Sequence, residues 1–276
     1  MFYRNHSKLT PWLIVCLIIF GLKACSVIKQ NGGFDLKSNS SSSVMESSSS
    51  TTNVDQNALA NLNYKSGDSP IVEVNHNQST LNMNDWQTCH VDFASLDHLN
   101  RTSGVTTAYL DSQNATNASL RSDQTVQPTG WHANHGRTQI YNRGHLIAYS
   151  ISKGINSDGK YNPSLATGDQ NNLKNLFTQT AYANQSIQTI YEQKVRTALY
   201  QGQKVIYQAQ PIFRGNELMA RGIHLQAISA NGDVNFNVFI YNVQPGYQFN
   251  YTTGKATKDK QMQVTDPSNA VHFNNQ

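Results

Sequence analysis

The chain has 276 residues, enough for one large domain or two small ones. Charged residues make up 14% and hydrophobic residues 38%, with 13 Tyr and 10 Phe, which excludes a wholly disordered chain, a collagen and a polytopic membrane protein. The formal net charge of +4 does not argue for a polyanionic partner: Arg4, Lys8 and Lys23 fall in the first 26 residues with no acid among them, and residues 27–276 carry 18 basic against 17 acidic residues.

Residues 4–24 read as an export signal. Basic Arg4 and Lys8 precede an apolar run at 11–22, and small residues follow near Ala24 and Ser26. The run is too short for the roughly 20 residues of a bilayer-spanning helix. Leu22-Lys23-Ala24-Cys25 is loosely like a bacterial lipoprotein cleavage box, so secretion and a membrane tether both stay open. A serine-rich stretch at 39–53 has almost nothing to bury and reads as a spacer. The expected division is therefore 1–26 signal or tether, 27–55 flexible linker and 56–276 one folded domain. Cys16 and Cys25 fall in the signal segment, which leaves Cys89 as an ordinary half-buried thiol.

Strand-like runs rich in β-branched and aromatic residues follow at 70–74 and 105–110. His132 and His135 have an H-x₂-H spacing, but no acid or cysteine completes a tetrahedral zinc set. At 140–147 an apolar strand runs into a corner bearing Asn142-Arg143-Gly144-His145, where glycine is expected to let the backbone turn tightly. An Asn-rich loop at 171–175 leads into a helix expected over 182–200. Its Ile187, Ile190, Tyr191, Val195 and Ala198 form an apolar stripe. Beside the stripe Asn184, Gln188, Glu192 and Arg196 recur every four residues, which by itself reads as a solvated edge with a Glu192–Arg196 ion pair. Further strands are expected at 203–213, 222–230 and 234–243. In the last, Val234, Phe236, Val238 and Ile240 share a face after a turn at Ala230-Asn231-Gly232-Asp233, and antiparallel pairing is the economical arrangement.

The Asn142-Arg143-Gly144-His145 corner and the Asn184-Gln185 pair opening a helix resemble the DNA/RNA non-specific endonucleases, the ββα-metal or His-Me finger group that includes bacterial DNA-entry and streptococcal-type secreted nucleases. Asn175, Glu192 and Arg196 stand nine residues before, eight after and twelve after Asn184, at the family's offsets. The resemblance implies an α+β fold, a ββα-metal finger with a central, mainly antiparallel sheet flanked by helices. It also implies sequence-independent hydrolysis of phosphodiester bonds in DNA and RNA by a secreted or surface-tethered bacterial protein.

The chemistry suits these residue types. Hydrolysis needs a proton acceptor for the attacking water and neutralisation of charge on the phosphate and leaving oxygens. In that reading His145 is the general base and Asn184 offers a hard carbonyl oxygen to Mg²⁺, with Mn²⁺ a possible substitute. Glu192 would hold metal-bound waters, Arg143 and Arg196 would grip the scissile phosphate, and Asn175 would hold the active-site loop or a phosphate oxygen. Arg101, Arg121 and Arg137 are further candidates for phosphate contacts. Asn142 departs from the family's usual Asp. That departure leaves a competing reading, a catalytically impaired surface protein that binds nucleic acid on the same scaffold.

Overall fold

The computed structural model describes residues 56–116 and 121–270. The signal and linker expected at 1–55 lie outside the described residues. No helix among those described is long and apolar enough to cross a membrane.

Among the described residues, ten short strands and two α-helices, α1 (Gln56–Asn61) and α2 (Thr189–Tyr200), organise the fold. The central sheet is formed by β1 (Ile71–Glu73), β2 (His90–Asp92), β3 (Thr106–Leu110), β6 (Val205–Ile212), β7 (Gly222–Ser229) and β8 (Asn235–Tyr241), in the order β1-β8-β7-β6-β3-β2. Every neighbouring pair is antiparallel. The turn expected at 230–233 joins β7 to β8, with Ser229 N donating to Val234 O at 2.8 Å and Gly232 at φ 80°. Only a residue without Cβ takes that conformation at no cost.

The expected face of β8 is buried, and so is the other. Phe236, Val238 and Ile240 join the main core with Leu225, Ala227 and Tyr207, and α2 seals this side through Ile190, Tyr191, Val195 and Leu199. Phe239 and Tyr241 point the opposite way into a second cluster with Leu59, Ile212 and Val243. Between these, the second face carries paired polar groups. Gln226 donates to Gln208 at 2.8 Å, and His224 shares a 2.6 Å hydrogen bond with Asn237. Paired amides can be buried because each replaces the water the other loses.

A separate two-stranded ribbon is formed by β4 (Tyr141–His145) and β5 (Leu176–Thr180), with His145 opposite Leu176 and Asn142 opposite Gln179. From β5 the chain enters a π-helical turn, Ala183–Gln188, that continues directly into α2. This is the strand, strand, helix order expected from the motifs. A second ribbon pairs β9 (Tyr247–Asn250) with β10 (Lys255–Lys258). Cys89 is half-buried, with its thiol donating to Asn114 Oδ1 at 2.8 Å, and burial pushes its pKa up to about 11. It is an inert packing residue.

Candidate active site

Gly144 lies within β4 and has no positive φ, so the expected tight turn at this glycine does not occur. The glycine is needed for another reason. A Cβ there would fall 2.1 Å from Gln179 Oε1 and 2.7 Å from Gln179 Cβ, because the Gln179 side chain lies across the strand at this point. Gln179 then donates to Gln188 Oε1 at 2.9 Å, and the Gln188 amide nitrogen donates both to the His145 backbone carbonyl at 2.8 Å and to Glu192 Oε1 at 2.8 Å. One glutamine, fully buried, thus ties the end of β4 to the helix carrying Asn184 and Glu192.

The π-helical turn explains why the four-residue row is not a solvated edge. A wider turn changes the angular phase of successive residues, so Gln188 faces inward while Asn184, Glu192 and Arg196 stay partly exposed. The Glu192–Arg196 ion pair is not formed among the described residues, and Glu192 takes its hydrogen bond from Gln188. Burial, the largest influence, raises the Glu192 pKa to about 7 against the lowering effects of Gln188, Arg196 and Arg121.

His145 ends β4 with 7% of its surface exposed. Its Nε2 lies 3.1 Å from the Gln170 carbonyl oxygen and 3.2 Å from Gln124 Nε2. The Gln170 carbonyl only accepts and the Gln124 amide nitrogen only donates, so the two contacts favour opposite tautomers; with the proton on Nε2 toward Gln170, Nδ1 is left with a free lone pair. Burial holds the ring pKa down at about 4, with the Arg121 cation adding to the depression and the Gln170 hydrogen bond opposing it. The ring is therefore neutral at pH 7.

Asn175 is 1% exposed, and both ends of its amide are used on Ile147: Oδ1 accepts from the backbone N at 2.8 Å and Nδ2 donates to the backbone O at 3.0 Å. It fixes Ile147, two residues after His145, with an amide that is almost wholly withdrawn from solvent. Arg143 is half-buried, donates from Nε to Val126 O at 2.6 Å and lies 4.2 Å over the Trp131 ring. The Asn184 side-chain amide has no hydrogen bond to another described residue, while its backbone carbonyl accepts from Thr189 Oγ1 at 3.1 Å. Gln185 bonds Gln139 at 3.0 Å.

Arg101 is not available to substrate. It is buried, paired with Asp97 at 2.8 Å and bonded to the Gly215 and Glu217 carbonyls. Arg121 is exposed, stacks on Tyr149 at 5.4 Å and acts electrostatically on both His145 and Glu192. Gln124 and Gln170 went unnoticed in the sequence, where neutral amides are abundant and carry no spacing signal, and Gln188 was read only as one member of the polar row along the helix.

Asn142 faces Gln179 across the ribbon, and each leaves a buried amide oxygen without a donor among the described residues. A carboxylate at position 142 would add charge where acceptors already lack donors, so the neutral amide suits its surroundings. The donor set fits a hydrated hard cation. An unpaired amide oxygen at Asn184 and a carboxylate at Glu192 are oxygen ligands or water holders, and no group of three His, Cys, Asp or Glu among the described residues offers a tetrahedral cage.

Residues 78–231 match the family model described as DNA/RNA non-specific endonuclease. Two structures of NucA from Streptococcus agalactiae, one with magnesium ion bound and one with no metal bound, are 30% and 31% identical to this chain. Both have TM-scores of 0.58 and cover 74% of this chain, which spans 93% and 94% of theirs. The Sda1 nuclease, solved with bound zinc ion, shares the fold at 16% identity and a TM-score of 0.51, covering 69% of this chain and 97% of its own. With over half its length inside the family match and a nuclease of similar sequence spanned nearly end to end, the chain belongs to the DNA/RNA non-specific endonucleases and is an endonuclease built on the ββα-metal fold.

Proposed function

We propose that this endonuclease hydrolyses phosphodiester bonds of DNA and RNA without sequence preference, with His145 as general base and Mg²⁺ held by Asn184. The observation that carries the reading is the Gln188 link, which ties the His145 backbone and the Glu192 carboxylate to one amide and so couples the base to the helix bearing Asn184.

His145 Nδ1 takes the proton of the attacking water, and the Nε2 bond to Gln170 keeps that tautomer in place. A base with a pKa near 4 stays unprotonated across the neutral range. Arg143 and Arg196 hold the scissile phosphate and offset the charge that builds on its oxygens. The Arg143 guanidinium is oriented for this by Trp131 and the Val126 carbonyl. Arg121 adds positive field near both His145 and Glu192. Glu192 orders water around the cation, and Asn175 keeps the His145 corner rigid. Bound Mg²⁺ supplies Lewis-acid stabilisation of the leaving oxygen, with Mn²⁺ a workable substitute. The magnesium in the structure of NucA from S. agalactiae supports this choice of ion. Contacts aimed at the sugar-phosphate backbone carry no base identity, which accounts for cutting at any sequence.

Residues 1–26 serve as the export signal or tether and 27–55 as the spacer, which places the nuclease domain of 56–276 outside the cell or on its surface. Plasmid and RNA digestion with graded Mg²⁺ tests the assignment. Asn184→Ala is expected to raise the Mg²⁺ concentration for half-maximal cleavage at least about tenfold, the scale of a lost ligand or its support. EDTA is expected to stop the wild-type enzyme. Metal-independent cleavage would contradict the reading, and binding without any cleavage would restore the impaired-scaffold alternative.

A further inference from the structure

Tyr141, Arg143 and His145 share one side of β4, since alternate residues of a strand point the same way. The row continues past Tyr141. Arg143 stacks on Trp131, and Trp131 and His132 pack against Tyr141 with ring centroids 6.2 and 5.7 Å away. Beyond them lies a cavity of about 450 Å³ whose lining includes His132, His135, Tyr141, Tyr247, Lys255 and Lys258 and no Asp or Glu. The 131–145 segment bounding it also lacks any acid. Asp259, next to Lys258 in sequence, is engaged by Gln248 at 2.6 Å.

The cavity is tied rigidly to the strand that ends in His145. The Tyr141 hydroxyl donates to Gly254 O at 2.8 Å and accepts from Ala256 N at 2.7 Å, so it holds the residues on both sides of Lys255. His132 Nε2 lies 3.0 Å from Thr253 O. Gly254 packs so closely that a Cβ would fall 1.9 Å from the Gly130 carbonyl. The β9–β10 ribbon lies beyond residue 231, where the family match ends.

We propose that this cavity is a distal subsite for the substrate strand, in which Lys255 and Lys258 take backbone phosphates and the half-buried rings of His132 and Tyr247 offer stacking faces. It rests on the reading of His145 as the cleavage centre and deepens it. Four residues of strand separate Tyr141 from His145 by about 13 Å, which corresponds to roughly four steps of stacked nucleotides at 3.4 Å each. The subsite therefore serves long strands and not short ones.

The test uses the Lys255→Ala/Lys258→Ala double variant, both lysines being exposed. Binding of a fluorescent 30-nucleotide single strand is followed by anisotropy in EDTA across a salt series, and dinucleotide cleavage is followed with Mg²⁺. The expected result is a Kd raised about tenfold, a slope of log Kd against log[NaCl] reduced by about 1.4 for two lost phosphate contacts, and unchanged dinucleotide cleavage. An unchanged Kd and slope would overturn the subsite, as would a loss of dinucleotide cleavage equal to the loss with long strands. Because binding is read without metal, a failure of the proposed chemistry at His145 would appear separately, as wild-type protein that binds the strand normally and does not cut.

Discussion

Apolar packing dominates in the central sheet, whereas the β4–β5–α2 finger adds to its own apolar contacts a chain of buried amides at its corner. The sheet is held by apolar side chains on both faces, Phe236 and Val238 on one and Phe239 and Tyr241 on the other. The finger's corner is tied by amides: Gln179, Gln188 and Asn175 are all within 1% of full burial, and each bonds a neighbour across the motif. Burying apolar area stabilises without directing atoms, whereas a buried amide network fixes positions and leaves ionisable groups in unfavourable surroundings. Substitutions in the sheet should therefore lower stability and spare the chemistry of the folded fraction. Substitutions in the finger should slow the chemistry of the folded enzyme whatever they do to stability.

The largest stability effect is expected from Phe236→Ala. Phe236 is 1% exposed and packs 4.9 Å from the Tyr191 ring, so truncation costs about 3–5 kcal/mol, read as a lower urea midpoint with kcat of the folded enzyme unchanged. A drop in kcat matching the drop in stability would break the comparison.

Next comes acid. His145 has a folded pKa of about 4 against an ordinary 6.5, so the unfolded chain binds its proton first as pH falls. The stability of the metal-free protein relative to His145→Ala should decline by about 3 kcal/mol between pH 6.5 and pH 4 and level off below. Glu192, raised to about 7, acts in the opposite direction, favouring the fold at low pH and losing that contribution as pH rises from about 4.5 to about 7. Urea titrations of both proteins across this range in EDTA check the sign.

Gly144→Ala is expected to cost about 1–3 kcal/mol by overpacking, because Gln179 must leave its place over the strand. It should also slow cleavage, since Gln179 orients Gln188. Normal activity in this variant would show that the amide relay does not position the site. The smallest shift is expected from Glu192→Gln, which removes a charge disfavoured by burial. It should raise Tm in EDTA by about 2–4 °C, the equivalent of 1 kcal/mol in a domain this size, while lowering activity.

The two regions also differed in how much could be read before folding. The runs at 70–74, 105–110, 203–213, 222–230 and 234–243 all contain strands, because β-branched and aromatic residues between turn signals leave little choice. β5, Leu-Phe-Thr-Gln-Thr, is buried along its whole length, yet its polar residues disguise it as a continuation of the Asn-rich loop. The second buried face of β8 was invisible because Asn235 and Asn237 interrupt it. In the candidate site, His145, Asn184, Glu192, Asn175 and the two arginines were singled out by the Arg-Gly-His corner and its fixed offsets. The reason for Gly144 was not, since the crowding comes from a residue 35 positions away. Arg101 looked equivalent to Arg121 until Asp97 and two carbonyls were seen to enclose it.

The central claim is that one neutral imidazole activates water in this finger, and single-turnover plasmid cleavage at saturating Mg²⁺ by wild type and His145→Ala tests it most directly. The account predicts a rate loss of about 10²–10⁴-fold with DNA binding retained. Cleavage by the variant at the wild-type rate would contradict it.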